Sequence, residues 1–446
     1  MIASGESSTE PEKLFDYTVC NTQPRQKSDI VKSRFLSLLP CNERVRQILF
    51  NRSMIKRNIS KLMAGCAVGL LSFTASAQRE IATPLSAQTN KATAMLRWVQ
   101  TASGEVEVDG LPWFKENRGS MCRLPIAAKS TFRKPVWSLA QCPSGGRLRF
   151  RTDSPTLGIR VEYSSAPNMA NMQAFGQTGV DAYVDGAYMV SAIADKNAKL
   201  GKVYETMLFD FANEPRTERE ITLYLPLYKP ATVLGIGIDK DAKLLKPKSF
   251  AVTKPVVFYG TSITQGGCAS RPGMSYQAIL CRELNLDFVN LGFSGNGLGE
   301  PELARAVSEI DASCYVLDFG ANHKSFEAMR EVYAPFLDFV RGAHPATPIV
   351  VMTPLYTSRE KRNRALGEDW IARRKFIEQL VRERQKAGDK KLFIVDGAKL
   401  LGQTPDDGLV DGGHPNDLGF YWMAENLAPT SRKVLGLSST KSGRIK

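Results

Sequence analysis

Short runs of alternating polar and apolar residues fill the chain between residues 90 and 250. The clearest runs are 105–108, 147–152, 157–163 and 181–184. An alternation of period two predicts strands with one buried face, and the Asp-Gly pairs at 109–110 and 185–186 predict turns. Residues 90–250 are therefore predicted to form an antiparallel β-sandwich domain of the jelly-roll-like kind.

The pattern changes after Pro255, where continuous apolar runs alternate with helix-like segments. The apolar runs predict strands at 255–259, 287–291, 314–319, 348–353 and 392–396. After the third run, helical spacing places five apolar residues on one face: Phe326, Met329, Tyr333, Phe336 and Val340. Strands that are apolar throughout indicate a parallel sheet with helices on both sides, so residues 254–432 are predicted to form an α/β domain.

Several polar residues lie directly after predicted strands, at the edge where a parallel sheet of this kind binds its ligands. Ser262 follows the first strand and begins the next helix, whose backbone N–H groups can stabilise negative charge. Gly295 and Asn322 follow the second and third strands, and glycines there let backbone amides approach a bound atom closely. A serine nucleophile needs a base, and the base needs an orienting carboxylate. His414 and Asp411, three residues apart before the last helical segment, are the candidates for these two roles.

These segments resemble the sequence blocks of the SGNH (GDSL-type) hydrolase family. The block around the serine reads Gly-Thr-Ser-Ile-Thr instead of Gly-Asp-Ser, and His323 stands where Asp is commoner. Upstream, 145–150 and 179–183 resemble the β-rich domain that is named for a Gly-x-Asp-Leu-Tyr motif and precedes one bacterial branch of the family. Ala182 stands in place of its Leu. The resemblance covers roughly residues 90–430 and implies a flavodoxin-like three-layer hydrolase domain after the β domain.

The resemblance implies a role for each candidate residue. It makes Ser262 the nucleophile, His414 the general base and Asp411 the residue that orients the base. The oxyanion hole would consist of the Ser262 and Gly295 backbone amides and the Asn322 side chain. No cofactor is implied. A metal is not expected, because three scattered histidines and the absence of a C-x-x-C pair offer no ligand cluster.

The function that the resemblance implies is that of a secreted serine esterase, hydrolysing acyl and chiefly O-acetyl esters of carbohydrates or polysaccharides. Short-chain acyl esterase, lipase and thioesterase activities stay open, as does a catalytically inactive glycan-binding protein. The glycine-rich loop 292–299 also invites a nucleotide-binding interpretation, but a dinucleotide fingerprint should follow the first strand, and no Gly-Lys-Ser/Thr sequence is present. Five aromatic residues are candidates for stacking on sugars, with core packing as the alternative: Trp113, Trp137, Tyr183, Tyr188 and Trp370.

A targeting segment is recognisable at residues 54–77. The basic stretch 55–61, the apolar run 62–73 and the final Ala-Ser-Ala together predict a secretory signal peptide. The predicted product is exported to the periplasm or the extracellular space and keeps no membrane anchor after cleavage. Residues 1–53 are then a non-native or disordered extension. The alternative is that 62–73 form a buried helix of a cytoplasmic protein.

The net charge bears on the expected binding partners, and the cysteines bear on the expected redox state. The 446 residues carry a net charge of +14, but lysine and arginine are scattered, so nucleic acid is not an expected partner. The expected partner is an acylated small molecule or polysaccharide. Five of the eight cysteines lie after the predicted cleavage site and are expected to be buried free thiols, with a Cys122–Cys142 disulfide left open.

Overall fold

A computed structural model describes residues 93–193 and 200–438. The predicted signal peptide at 54–77 and the extension at 1–53 lie outside these residues. Among the helices that the structure describes, none is both long and apolar enough to cross a membrane.

Antiparallel strands form two sheets in the β-rich part of the described chain. The strands are β1 (Arg97–Gln100), β2 (Glu107–Asp109), β3 (Arg147–Thr152), β4 (Thr156–Tyr163), β5 (Val180–Val184), β6 (Ala187–Ala192), β7 (Val203–Asp210), β8 (Arg219–Tyr224), β9 (Ala231–Ile238) and β10 (Leu244–Leu245). One sheet has the order β1-β9-β4-β7, and the other has the order β10-β3-β8-β5-β6, with β2 paired on β3. Two short helices are inserted between strands: α1 (Lys134–Ala140) and α2 (Ala174–Thr178).

Both sheets bury side chains in one shared apolar core, which confirms the predicted antiparallel sandwich. Leu148 and Phe150 of β3 and Ile159 of β4 lie fully buried in this core. Strand β3 reads Arg-Leu-Arg-Phe-Arg-Thr, so its arginines alternate with its core residues and point to the opposite face. Arg147 there pairs with Asp287 of the following α/β part.

The two Asp-Gly pairs have different surroundings. Asp185-Gly186 joins β5 to β6 with φ angles of 49° and 82°, the left-handed conformation that a tight hairpin turn requires, as predicted. Gly110 also has a positive φ of 76°, but no hairpin follows it. Instead β2 pairs with β3 across the long connection 110–146, because that segment packs elsewhere.

The α/β part contains a parallel five-stranded sheet of order β12-β11-β13-β14-β15. Its strands are β11 (Val256–Gly260), β12 (Phe288–Gly292), β13 (Cys314–Asp318), β14 (Ile349–Met352) and β15 (Leu392–Val395). Its helices are α3 (Ser262–Gln265), α4 (Tyr276–Leu284), α5 (Pro301–Ser308), α6 (Phe326–Ala343), α7 (Arg359–Arg362), α8 (Arg364–Lys386) and α9 (Asp417–Leu435). The five strand predictions hold to within one residue at each end. This strand order is the flavodoxin-like one, which confirms the predicted fold class.

Alternate residues of the interior strand β11 face opposite sides of the sheet. Val257 and Tyr259 enter a core that includes residues of α5, α6 and α8. Val256 and Phe258 enter a second core that includes residues of α4 and α9. Strands β11 to β14 are buried along their whole length, which is the physical reason why they are apolar throughout, while β15 is half-buried after its first residue.

The connection between β2 and β3 belongs by packing to the α/β part. Trp113, Leu124, Phe132 and Val136 share a buried core with residues of β11 and α6. The β-rich and α/β parts therefore pack into one unit. Residues that precede position 250 complete the core of the α/β part. The division of the chain into two domains near residue 250 therefore stays a prediction.

Candidate active site

Ser262 stands at the tip of a sharp strand-to-helix turn. Strand β11 ends at Gly260, where a Cβ atom would collide with the Thr264 side chain and the Asp318 carbonyl. Helix α3 then begins at Ser262 and is closed after one turn by Gly266, which has a φ of 98°. The turn therefore presents Ser262 at the carboxyl end of β11, with 7% of the residue exposed.

A series of hydrogen bonds joins Ser262, His414 and Asp411. Ser262 Oγ lies 2.9 Å from His414 Nε2, and His414 Nδ1 lies 2.8 Å from Asp411 Oδ2. The loop holding the last two residues is tight, because Val410 N donates to His414 O at 2.8 Å and Gly412 adopts a φ of 79°. The structure thus brings together three of the residues that the sequence predicts for the site.

Asp411 is held in its charged form by several donors. Its Oδ1 accepts the backbone N–H groups of Gly413 and His414 at 3.0 and 2.9 Å. Its Oδ2 accepts the His414 ring N–H and the Asn171 side-chain amide, the latter at 3.0 Å. Partial burial raises the pKa of Asp411, but these hydrogen bonds outweigh it and hold the pKa below its ordinary value. An ionised Asp411 keeps the proton of neutral His414 on Nδ1, which leaves Nε2 free to accept the proton of Ser262.

The loops after β12 and β13 meet each other beside α3. Asn322 Nδ2 donates to Asn296 O at 2.8 Å, and Ser294 N donates to Gln265 Oε1 of α3 at 2.9 Å. Gly295 between them has a φ of 64° and open space where a side chain would project. Gly295 and Asn322 therefore share one loop cluster next to the Ser262 helix, and the contact between them runs through Asn296.

Two buried residues that sequence reasoning missed support this cluster. Asn290 in β12 accepts the Gly292 N–H at 2.8 Å and donates to the Thr264 carbonyl of α3 at 2.6 Å. Arg123 donates to the Asn290 and Gly292 carbonyls at 2.9 and 2.7 Å. A polar residue inside an apolar strand was a usable signal for Asn290, but no local pattern distinguishes Arg123.

The β-rich part also reaches the site directly. Tyr228 OH donates to the Ser262 carbonyl at 3.1 Å, and Ser144 Oγ donates to the Gln265 carbonyl at 2.7 Å. With Asn171 on Asp411, three side chains from before residue 250 contact the turn and the loop that hold the candidate residues.

His323, whose role the sequence left open, makes a structural contact. Its Nε2 lies 3.1 Å from the Leu298 carbonyl, and burial lowers the pKa of the ring. A neutral His323 therefore links the loop after β13 to the loop after β12.

The aromatic candidates mostly pack inside the protein. Trp113 and Tyr183 are buried, and Trp370 Nε1 donates to the Leu355 carbonyl at 2.9 Å. Trp137 is half-buried and stacks on Phe132. Tyr188, at 43%, is the most exposed member of the set.

The five cysteines in the described chain are free and buried, as expected. One of them, Cys268, lies near the site: its sulfur and ligand atoms of Asp411 and His414 lie within 4.8 Å of one another. Burial, with the negative charge of Asp411, raises the pKa of the Cys268 thiol to about 12. The thiol is therefore protonated, and Asp411 and His414 are hydrogen-bonded to each other. The three groups are thus better suited to proton transfer than to binding a metal ion.

The charged segment after β14 lies beside the same loop. Ser358 N donates to the Gly412 carbonyl at 3.0 Å, and Arg359 Nη2 lies 3.7 Å from Asp411 Oδ1. The Arg359 side chain is 45% exposed, so its positive charge faces solvent at the edge of the site.

Two family models match the chain, one for each part. The GDSL-like Lipase/Acylhydrolase family model matches residues 253–432. The GxDLY model, described as the N-terminus of Esterase_SGNH_hydro-type, matches residues 96–244. A comparison with curated proteins finds no match.

Solved structures share the fold over most of the chain. A protein described as a GDSL-like lipase from Bacteroides ovatus ATCC 8483 is 31% identical, with a TM-score of 0.69, over 77% of this chain and 99% of that chain. The salicylyl-acyltransferase SsfX3 from a tetracycline biosynthetic pathway is 23% identical, with a TM-score of 0.62, over 77% and 99%. A family two carbohydrate esterase from Clostridium thermocellum, in complex with cellohexaose, is 18% identical, with a TM-score of 0.51, over 66% and 94%. The identity to the Bacteroides protein over nearly its whole length, together with the family match, shows that this chain belongs to the GDSL-like lipase/acylhydrolase family.

Proposed function

We propose that this chain is an exported serine esterase that removes acyl groups, chiefly O-acetyl groups, from carbohydrates through an acyl-enzyme on Ser262. The observation that carries the proposal is the continuous hydrogen-bonded series from Ser262 through His414 to Asp411. Such a series activates a serine hydroxyl, because a base accepts its proton while a carboxylate stabilises the charged base. Export depends on the predicted signal peptide at 54–77.

The first half of the reaction forms the acyl-enzyme. Ser262 Oγ attacks the ester carbonyl carbon while its proton passes to His414 Nε2, and Asp411 stabilises the imidazolium. When the tetrahedral intermediate collapses, His414 gives this proton to the departing alkoxide, and the alcohol leaves. Water attacks the acyl-enzyme in the second half, with His414 again as base, and releases the acid and the free serine.

The oxyanion of the intermediate would be stabilised by the Ser262 and Gly295 backbone amides and by the Asn322 side chain. Asn322 Nδ2 carries two hydrogens, of which one is donated to Asn296 O, so one remains for the oxyanion. The open space beside Gly295 leaves room for the bound atom.

The exposure of the site favours a short acyl group on a bulky polar carrier. The side chains of His414 and Asp411 are 27% and 26% exposed, so this end of the site is open to solvent. Arg359 adds an exposed positive charge at the same edge. A long acyl chain would instead require an extended apolar groove. The likeness to the cellohexaose complex is a likeness of fold alone, so the carbohydrate proposal depends on this open, polar surface.

The test compares the mature chain, beginning at Gln78, with its Ser262→Ala variant. Acetylated xylan, other acetylated glycans and p-nitrophenyl esters of rising chain length are the substrates, and kcat/KM is measured. Ser262→Ala is expected to lower kcat by at least about 10⁴-fold with an unchanged circular dichroism spectrum, because the nucleophile is lost while the fold is kept. Ser103→Ala, which changes an exposed serine bonded to the Gln100 carbonyl, is the matched control.

Three results would count against the proposal. Undiminished hydrolysis by Ser262→Ala would refute the nucleophile. A wild-type preference for long acyl chains would refute the carbohydrate substrate and favour a lipase or thioesterase. Binding of glycans without any turnover would favour the inactive glycan-binding alternative.

A further inference from the structure

The β-rich part supplies a hydrogen bond to the candidate carboxylate. Asn171, between β4 and α2, donates from Nδ2 to Asp411 Oδ2 at 3.0 Å. The same oxygen accepts the His414 Nδ1 proton at 2.8 Å. The other oxygen accepts two N–H groups from its own loop, so Asn171 provides the carboxylate hydrogen bond that originates outside that loop.

From this contact we propose that Asn171 is a positioning residue for Asp411, so that a loop of the β-rich part completes the reaction centre of the α/β part. The inference rests on the proposed function, because it concerns the carboxylate that orients the base. It adds a residue that lies 240 positions away from its partner in the chain.

The loop that carries Asn171 is held in place from both sides. The buried Gln177 side chain accepts the backbone N–H groups of Asn168 and Met169 at 2.9 and 3.1 Å and donates to the Met172 carbonyl at 2.7 Å. The Met172 side chain is buried in the core that contains α9. A side chain that must orient another needs such a fixed backbone, because small displacements of a supporting residue are passed on to the reacting atoms.

Close packing brings the same loop against the serine turn. Gly176 of α2 lies so near the Ala269 carbonyl, just past α3, that a Cβ atom would collide with it. The β-rich loop therefore rests on the backbone that follows Ser262, and its distance from Asp411 is fixed by contact with the α/β part.

The second donor on Oδ2 has two physical effects. It restrains the plane of the carboxylate, which keeps Oδ2 directed at His414 Nδ1. It also offsets part of the negative charge, which limits how strongly Asp411 stabilises the imidazolium. Removing Asn171 should therefore slow the reaction and move the acidic limb of its pH profile to higher pH.

The effect of Asn171 on Asp411 can be told apart from the effects of the other charged and titratable groups nearby. Arg359 from α7 approaches Oδ1, not Oδ2, at 3.7 Å. The Cys268 thiol, after α3, is uncharged near neutral pH. Asp417 of α9, which lines a cavity of about 520 Å³ together with Asn171 and Cys268, accepts hydrogen bonds from Ser270.

The test compares Asn171→Ala with Asn168→Ala in the full chain. Asn168 lies on the same loop, but its side chain accepts a solvent-exposed hydrogen bond from Lys229, so its truncation leaves Asp411 untouched. Inactivation by a fluorophosphonate probe, which reports an activated serine whatever the natural ester is, and turnover of an acetyl ester are both measured against pH. Asn171→Ala should lower kcat roughly tenfold and shift the acidic limb of both profiles to higher pH, with KM changed less than about twofold.

A second substitution strengthens the test if the truncation perturbs folding. Asn171→Asp keeps the shape of the side chain but replaces a donor by a second carboxylate, so the acidic limb should move further in the same direction. Proton NMR of His414 Nδ1 reports the hydrogen bond without any turnover, and its downfield resonance should move in both Asn171 variants and stay in Asn168→Ala.

The outcomes separate this inference from the proposed function. An unchanged acidic limb and an unmoved His414 resonance in Asn171→Ala would overturn the inference even if kcat fell, because a merely structural role predicts that pattern. A wild-type chain that neither reacts with the probe nor hydrolyses the ester would overturn the proposed function, and the inference with it.

Discussion

Hydrogen bonds at the reaction centre set the proton position on each side chain. Asp411 accepts N–H groups at both oxygens and stays ionised, as the lowered pKa of its carboxyl indicates. The proton of His414 is consequently held at Nδ1, and Nε2 faces Ser262 at 2.9 Å. His414 is thus arranged as the proposed reaction requires before any substrate binds.

Asp411→Asn should abolish most activity while leaving the fold intact. The new side chain can present its NH₂ group to His414 Nδ1, which stabilises the tautomer with its proton on Nε2 and removes the acceptor for Ser262. We expect kcat to fall by roughly 10⁴-fold. Asp210→Asn, at an exposed position of β7, serves as the control. A variant rate near that of the wild type would show that Asp411 does not orient the base.

At the scale of elements, the short helix α3 rests on a buried carboxyl group. Asp318, at the end of β13, accepts the Thr264 hydroxyl of α3 at 2.8 Å and the Tyr276 hydroxyl of α4 at 3.3 Å. Burial raises the pKa of Asp318 to about 6, although both hydrogen bonds act to lower it. The strand, the serine helix and α4 are therefore joined at one titratable group.

Asp318 should make stability fall as the pH rises from about 4 to about 6. The folded state binds this proton more tightly than the unfolded state, so the free energy of unfolding is highest below the unfolded pKa of 3.8 and lower above the folded pKa. Asp318→Asn keeps both hydrogen bonds without the charge. Its gain in unfolding free energy over the wild type should grow from near zero at acid pH to about 3 kcal/mol at pH 7.

Urea unfolding at a series of pH values measures this difference between the two proteins. A variant that is less stable than the wild type at pH 7, or a difference independent of pH, would contradict the assignment of the buried charge. Thr264 and Tyr276 are unchanged in the comparison, so the charge on residue 318 is the variable.

At the scale of the whole molecule, a buried arginine ties the connection between β2 and β3 to the end of β12. Arg123 donates to the Leu139 and Cys142 carbonyls of its own segment at 2.9 and 2.8 Å, and to the Asn290 and Gly292 carbonyls at the end of β12. Burial lowers the pKa of Arg123 to about 10, so the group stays charged at neutral pH. Its planar guanidinium directs several N–H groups at fixed angles to these acceptors.

Arg123→Lys should destabilise the whole protein and impair activity. An ammonium group cannot reach all four carbonyls, and each buried carbonyl left without a donor costs about 1–3 kcal/mol. We expect the free energy of unfolding to fall by at least about 2 kcal/mol and kcat to fall too, because Gly292 leads into the loop of Gly295. Arg151→Lys, in a solvent-exposed pair with Glu218, is the matched control. Equal free energies of unfolding for Arg123→Lys and Arg151→Lys would contradict this role of Arg123.

The sequence alone determined the fold class, the five parallel strands and the identity of the serine, imidazole and carboxylate candidates. Strands buried on both faces must be apolar, so a local pattern located them to within one residue. In a parallel sheet the carboxyl ends of the strands share one edge, so residues just past them had to be neighbours. Ser262 and His414 could be paired on that ground although 152 positions separate them.

Only the tertiary structure decided which distant residues complete that edge. The segment 110–146 lies within the range predicted as a β-sandwich, yet it packs on the α/β core instead of closing a hairpin at Gly110. Asn171 and Arg123 carry no local signature, because their roles arise from contacts with residues far away in the chain. Periodicity describes which face of an element is buried. The partner on that face depends on how the elements are arranged in space, which no short stretch of sequence specifies.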